Sequence, residues 1–584
     1  MREPIRRVIE IAGRMLPTAR VKRRSTDVAG SEATMQAYAR PGELDPLPPG
    51  RASLYRVPWR ARPRTVSAHD ALHGIGVYWK HIPPAWTLEQ QINVMRQMSA
   101  AGVKRMRLAP HHAVYITKDW TSPQSLELDT LRKELRACKA AGIRPCVVFV
   151  HIPPIGRSGT RELQDWWRQG ELMPVGEVGS AAFAAYLDKT YDALRFILDE
   201  ARAAGFTDPG SYDLEVGQNL WWGAPATPRP LPSTDVTALK PGGRIYEFDR
   251  ALITRVREHG YHEPVLWWGQ VHHHVEAMCD GDLPDACAGW AVSIYGGWTG
   301  KTATTWLRNG PSDRDRGPND VWPVRAPLRF MEGKAPRMVL ARPESYLGDR
   351  TRHDNLIEFI ARSRMPVAIT SLGTVPNDIP AAAAGGLDGW QIKQRRLTRS
   401  LAFWLHQGSQ FVLLHSAYEA GQRDDGAGAH SLLPTSIDPG TFTIERSRPL
   451  ATLRNFAQAL DGATPIEQPA ELTFHFALVP DPVLIPASGA SGPLRASDAI
   501  ALLPFQINGG TFAVAAYVVS PNIAQPLDAI AATVQIDRRI AGPVATMRPA
   551  TQHCGTAAVE QRGDATIIRF ELHDDVTWLR VAVE

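Results

Sequence analysis

The sequence predicts an α/β fold: a (β/α)8 TIM barrel with a C-terminal β-sandwich domain. Three observations carry this. Eight short apolar runs begin near residues 74, 103, 143, 211, 264, 287, 366 and 410, and most are separated by amphipathic helical patterns. Continuous apolar strands alternating with helices imply a parallel sheet, and eight such units fit a closed barrel. Beyond about 465 the helical period stops, and short alternating strands with Gly, Pro and Asn turns follow. The chain also has 584 residues, too many for one ordinary core.

The elements follow in order. GIGVYW (74–79) is a strand, and LEQQINVMRQMSAAG is an amphipathic helix closed by Gly102. VKRMRLAP is a strand, and LELDTLRKELRACKAAG a helix ending at Gly142. IRPCVVFVHIPP is a strand, and AAFAAYLDKTYDALRFILDEARAAG a long helix. SYDLEVGQN is a strand, with a Pro-rich loop and a helix near 245–259 behind it. PVLWWGQVHHH and CAGWAVSIYGG are strands, and 296–348 is an Arg-, Pro- and Asp-rich insertion over the barrel mouth. DNLIEFIARSR is a helix, PVAITSLG a strand, WQIKQRRLTRSLAFWLHQG a helix and QFVLLHSAY the last strand.

The predicted domains are therefore 67–465 for the barrel and 466–584 for the sandwich. AELTFHFALV, TFAVAAYVV, AIAATVQID, ATIIRFEL and TWLRVAV supply the strands of the latter. The sandwich reads as a structural appendage before a sugar-binding module, since its only Trp is Trp578, within a strand. Residues 1–66 read as a basic, mostly irregular arm with a short helix at 3–15.

Composition excludes several classes. The chain is 44% hydrophobic and 21% charged, as folded soluble proteins are. Its net charge of +5 hides an asymmetry: residues 1–66 hold 14 Lys/Arg against 6 Asp/Glu, whereas the remainder holds 51 against 54. A nearly neutral body gives no nucleic-acid groove. Cys138, Cys146, Cys279, Cys287 and Cys554 form no CxxC pair, so no zinc knuckle is indicated. Cys279 and Cys287 could bridge one loop in an oxidising compartment. No run of about 18 apolar residues suggests a membrane span. The N-terminus lacks the apolar stretch of a secretory signal. As written, the sequence predicts a cytoplasmic protein, or an extracytoplasmic one if the start is misassigned. No cofactor is called for, and oligomeric state is not legible.

Chemistry in such a barrel sits at the carboxyl ends of the strands. Read in order, those ends offer Trp79 and His81; His111 and His112; His151; Gln218 and Asn219; Gln270, His272 and His274; Tyr295; Ser371; His415 and Glu419. Aromatic faces stack on sugar C–H surfaces, and amides and imidazoles bond sugar hydroxyls. Sixteen of the seventeen tryptophans lie between Trp59 and Trp404, including the pair Trp221-Trp222. The predicted partner is thus an oligosaccharide or polysaccharide. Trp79, Trp222, Trp268 and Tyr295 are expected to shape its subsites. His111, Gln218, Asn219, His272, Ser371 and His415 are expected to bond its hydroxyls.

Several segments resemble the clan A glycoside hydrolases, most of all family 39 and its exopolysaccharide-associated relatives. They are GIGVYW, SYDLEVGQNLWWG, AGWAVSIYGG, MPVAITSLGT and FVLLHSAYE, with AHSLLPTSIDPGTFTIERSRPLATLRNFAQALDG, and the likeness spans roughly 72–465. The resemblance implies an acid/base glutamate where this chain has Asn219, and a nucleophilic glutamate where it has Ser371. Retaining hydrolysis needs two carboxyl groups about 5–5.5 Å apart. An amide gives no useful proton, and a lone Ser without an adjacent base is a poor nucleophile. The expectation is a glycoside-hydrolase-like carbohydrate-binding protein without the retaining pair.

Two alternatives stand beside it. One is an active glycosidase with relocated carboxylates, Glu419 foremost, with Asp424, Asp425, Glu332 and Glu344 as loop acids. Glu215 shares a strand face with Asn219 but lies about 13 Å deeper at roughly 3.3 Å per residue. It reads as a paired structural acid. The other is a metal-dependent hydrolase built on His272, His273 and His274 with His111, His112 and His151. His272 and His274 share a face that His273 opposes, and the first strand lacks a His-x-His pair. Hydrogen bonding to sugar hydroxyls is the favoured role of these imidazoles, with no metal bound. His353 and His406 read as ordinary surface or helix-packing residues.

Overall fold

The computed structural model describes residues 55–57, 74–109, 128–149, 177–217, 241–271, 284–294, 366–373, 386–419, 424–460, 474–485, 494–518 and 526–584, apart from scattered positions within these ranges. The predicted insertion at 296–348, the helix DNLIEFIARSR and most of the arm lie outside the described residues.

Eight parallel strands close into a barrel: β2 (Ile75–Trp79), β3 (Arg105–Leu108), β4 (Arg144–Phe149), β5 (Tyr212–Val216), β6 (Pro264–Val271), β7 (Cys287–Ile294), β8 (Val367–Gly373) and β9 (Val412–His415). The last pairs with the first through Ile75–Val412 and Val77–Leu414. Six described helices accompany them: α1 (Leu88–Ala100), α2 (Leu128–Ala141), α3 (Ala181–Ala203), α4 (Arg244–Glu258), α5 (Gly389–Gln407) and α6 (Arg448–Ala459).

Local sequence explains where the helices begin and end. Thr87 and Gln90 form a reciprocal capping box at the start of α1. Ser180 caps α3 by accepting from the Phe183 N–H, and Ser447 caps α6 by accepting from Leu450. Gly102 ends the α1 turn at φ +96°, and a Cβ there would lie 2.6 Å from Ala457 Cβ. Conformation and space both require glycine at that position.

Strand alternation sorts the barrel into two environments. Outward residues such as Val77, Met106, Val147, Leu214, Leu266 and Ile369 join one large core with the helices. Inward, Cys146, Trp267, Ala291, Ala368, Phe411 and Leu413 form a small separate cluster. Above and around it run charged residues, described below.

The C-terminal region contains two five-stranded antiparallel sheets, as a β-sandwich requires. One runs β1 (Tyr55–Val57), β10 (Phe474–Leu478), β15 (Ile530–Ile536), β19 (Ala565–Leu572), β18 (Ala558–Arg562). The other runs β13 (Ile500–Asn508), β14 (Thr511–Val518), β20 (Thr577–Ala582), β16 (Ala545–Arg548), β17 (His553–Thr556). A small ribbon, β11 (Val483–Ile485) with β12 (Leu494–Arg495), stands apart. Strand β1 comes from the arm that the sequence presents as mostly irregular. It pairs with β10 in antiparallel register, Arg56 opposite His475, and so ties residues 55–57 to the sandwich.

Candidate functional site

The barrel interior is built from charges that alternate along two strands, with one more from β4. Asp213 and Glu215 lie two apart on β5, and Arg105 and Arg107 two apart on β3, so each pair shares the inward face. At the lower level Asp213 meets Arg105 at 3.3 Å and Arg144 at 2.7 Å, and accepts from the Trp267 indole at 3.0 Å. Burial pushes the Asp213 carboxyl up, but the two guanidiniums outweigh it and hold the group below its ordinary range. Above it, the Arg107 Nε donates to Glu215 Oε2 at 2.9 Å, and Thr370 Oγ1 donates to Glu215 Oε1 at 3.1 Å. Arg107, Glu215 and Thr370 are fully buried. Glu215 is thus engaged through both oxygens inside the barrel, as a paired acid rather than one open to the mouth.

The next level upward is built from a hydroxyl and an imidazole. Ser371, at the carboxyl end of β8, lies with its Oγ 3.3 Å from His415 Nδ1 at the end of β9. Regular alternation would place Thr370 and Ser371 on opposite faces. The ladder slips instead: Val292 pairs with Ile369, but Ser293 pairs with Ser371, leaving Thr370 as the extra residue of a bulge. The bulge lets both hydroxyls act inside the barrel, one on Glu215 and one on His415. Ser371 therefore does have an imidazole beside it, which corrects the expectation of a serine without a neighbouring base.

Tyr78 completes this level. Its ring meets His415 edge-on at 5.4 Å, and the Arg107 guanidinium lies 4.6 Å from its centre. The loop after β9 folds back over the same place. His430 packs edge-on against His415 at 5.5 Å, and its backbone N–H donates to Glu419 Oε2 at 2.8 Å. Glu419 is half-buried, and among its described contacts it serves the turn that returns His430 to the mouth. Asp424 is exposed, and its carbonyl accepts from the Trp390 indole. Asp425, Glu332 and Glu344 lie outside the described residues.

Burial, then Lys393, Arg396 and Lys80, pull the His430 pKa down to about 3. The imidazole is neutral in the folded protein, whereas the unfolded chain takes up a proton near 6.5. Stability from this group is complete above 6.5 and is lost as pH falls toward 3. Between pH 7 and pH 5 it should decline by about 2 kcal/mol, at 1.36 kcal/mol per unit. Denaturant titrations at the two pH values should show that decline in the native chain and a smaller one in His430→Asn. Equal slopes would remove His430 as its cause.

Two aromatic expectations need correction. Trp79 turns outward into the helix-facing core, stacking edge-on against Trp86 at 6.2 Å. Trp268 is likewise outward. Its indole donates to Asp249 of α4 at 2.6 Å, and Tyr246 of the same helix lies against its ring. Their strand neighbours Tyr78 and Trp267 are the inward aromatics. The charged pairs on β3 and β5 carried the signal for the correct phase, since buried charges must face one another. Of the other expected residues, His111, Gln218, Asn219, Trp222, His272 and Tyr295 lie outside the described residues, with His112, His151, His273 and His274. Among the described residues no three His, Cys, Asp or Glu side chains gather as a metal site would require. No described helix is long and apolar enough to cross a membrane.

No protein-family model matches the chain, and no curated protein matches it. Solved structures do. A protein described as a glycoside hydrolase is 11% identical, with 93% of this chain and 98% of that one covered and a TM-score of 0.45. The exo-β-1,4-mannosidase Op5Man5 from Opitutaceae bacterium strain TAV5 is 14% identical, with 66% and 59% covered and a TM-score of 0.37. The α-fucosidase of Thermotoga maritima is 11% identical, with 90% and 100% covered and a TM-score of 0.37. The barrel itself is defined by its own closed strand order.

Proposed function

We propose that this chain is a glycoside-hydrolase-like protein that binds an oligosaccharide or polysaccharide without retaining hydrolysis. One observation supports it above the rest. At the end of β8, where a retaining barrel enzyme needs a carboxylate, Ser371 shares a hydrogen bond with His415. The two carboxylates described inside the barrel, Asp213 and Glu215, are taken up by arginines. Asn219, in place of the acid/base glutamate, supplies an amide. In this reading Ser371, His415, Asn219, Gln218, His111 and His272 bond sugar hydroxyls, and Trp222 and Tyr295 stack on rings. Tyr78 takes the inward aromatic place that Trp79 does not.

The test is a glycan panel against the purified chain, followed by product analysis on every ligand bound. Binding without product over long incubation is expected. Ser371→Ala should weaken the binding two- to tenfold, the value of one ordinary hydrogen bond of about 0.5–1.5 kcal/mol. Sustained release of product would reject the reading. In that event Glu419 is the acid to test, because it stands at the exit of β9 beside His430. Loss of turnover in Glu419→Gln would then establish relocated carboxylate chemistry.

A further inference from the structure

We infer that the sandwich aligns the barrel mouth, with Gln394 as the positioning residue. It does so by fixing α5 and α6, the two helices that hold the segment carrying His430 to His415. This alignment is independent of what the mouth binds.

Each helix holds the mouth with its first turns and the sandwich further along. At the mouth, the Lys393 ammonium of α5 donates to the Ser431 carbonyl at 2.6 Å. Three residues earlier, the Trp390 indole donates to the Asp424 carbonyl at 2.8 Å. Gly426 lies so near that ring that a Cβ on it would fall 2.5 Å from Trp390 Cδ2. At the start of α6, the Ser447 hydroxyl donates to the Leu432 carbonyl at 2.7 Å. The segment so held pairs with the chain leaving β9. The Leu432 N–H donates to the Ser416 carbonyl at 2.9 Å, and the Leu433 N–H to the Ala417 carbonyl at 3.0 Å. His430 comes just before it and meets His415 edge-on.

On the sandwich, the turn between β16 and β17 offers two carbonyls. Gln394 Nε2 donates to that of Ala550 at 3.0 Å and to Thr452 Oγ1 of α6 at 2.8 Å, so one amide ties both helices to the turn. Asn455 of α6 donates to the Pro549 carbonyl at 3.2 Å. Arg395 adds its ion pair with Asp574. Gln394 directly follows Lys393, and Thr452 and Asn455 lie five and eight residues beyond Ser447. These separations are about 1.5, 7.5 and 12 Å along the helix axes. Over such lengths a helix moves as a unit, so a shift at the turn is delivered to Ser431 and Leu432. The side-chain donors are directional and set position. The apolar contact of Trp578 with Phe456 is far less so, and contributes adhesion.

The test is amide hydrogen exchange on the full chain and on Gln394→Met, which keeps the side-chain length and removes the donor. The reference is α3, which follows β4, four strands round the barrel from the β8 that precedes α5. Relative to the α3 amides of Leu194 and Leu198, those of Leu432 and Leu433 should exchange about two- to tenfold faster in the variant, as loss of one ordinary hydrogen bond implies. A role in stability alone moves both sets alike. Asn455→Leu breaks the other tie to the turn and should have the same local effect, and it carries the test if Gln394→Met does not fold. Acceleration shared alike by both sets, or absent from Leu432 and Leu433, overturns the inference.

Discussion

Arg107→Met should destabilise the barrel by about 3–5 kcal/mol, the usual consequence of leaving one partner of a buried ion pair alone. The side chains of Arg107 and Glu215 are both 0% exposed, and their closest ionic contact is 2.8 Å. Thr370 donates a second hydrogen bond to Glu215, but a hydroxyl does not replace a cation. Arg107 also spans the Tyr78 ring at 4.6 Å, so its loss removes packing as well as charge. The double variant Arg107→Met/Glu215→Leu should recover most of the loss, because apolar replacement of both partners removes the uncompensated charge. Equilibrium denaturation of both single variants and the double variant isolates the coupling. If Arg107→Met unfolds within 1 kcal/mol of the native chain, Glu215 is not held by this pair.

The fold was legible because its signals are local. The eight predicted strand starts fall within two residues of those found. Unbroken apolar runs and glycine-ended helices state their own boundaries. The inward face was less legible. In GIGVYW and PVLWWGQV, neighbouring aromatics give alternation no polar contrast, so the phase is ambiguous at Tyr78-Trp79 and Trp267-Trp268. The charges of Arg105, Arg107, Asp213 and Glu215 fix it, and only when strands are considered together. The bulge at Thr370 was not readable, since it depends on how β8 registers against β7. Nor was His430, which a loop returns to His415 from fifteen residues along the chain. In the sandwich, β13 was missed because Pro504 interrupts an apolar run. Its place at a sheet edge is where a residue without an N–H is tolerated. Strands β17 and β18 are largely exposed and so lack a buried period.

Trp578→Ala should cost about 3–5 kcal/mol, as for other buried large aromatics, and should separate the unfolding of sandwich and barrel. Trp578 lies on β20 at 2% exposure. Phe456 of the barrel helix α6 meets its ring edge-on at 5.3 Å, and Phe505 of β13 at 5.5 Å. It is an apolar bridge between the two domains. Polar contacts surround it: Asn455 and Gln394 donate to the carbonyls of Pro549 and Ala550, and Arg395 pairs with Asp574. Burial raises the Asp574 carboxyl despite Arg395 and Arg399, so this ion pair offsets its own desolvation poorly. The aromatic contact should therefore carry most of the adhesion. Calorimetry of the native chain should give one coupled transition, and of Trp578→Ala two. Glycan affinity of the folded variant should be unchanged, because the only tryptophan of the sandwich is consumed in the interface and has no face left for a sugar. A variant of unaltered stability that has lost glycan binding would reverse that assignment, and would make the sandwich a recognition module.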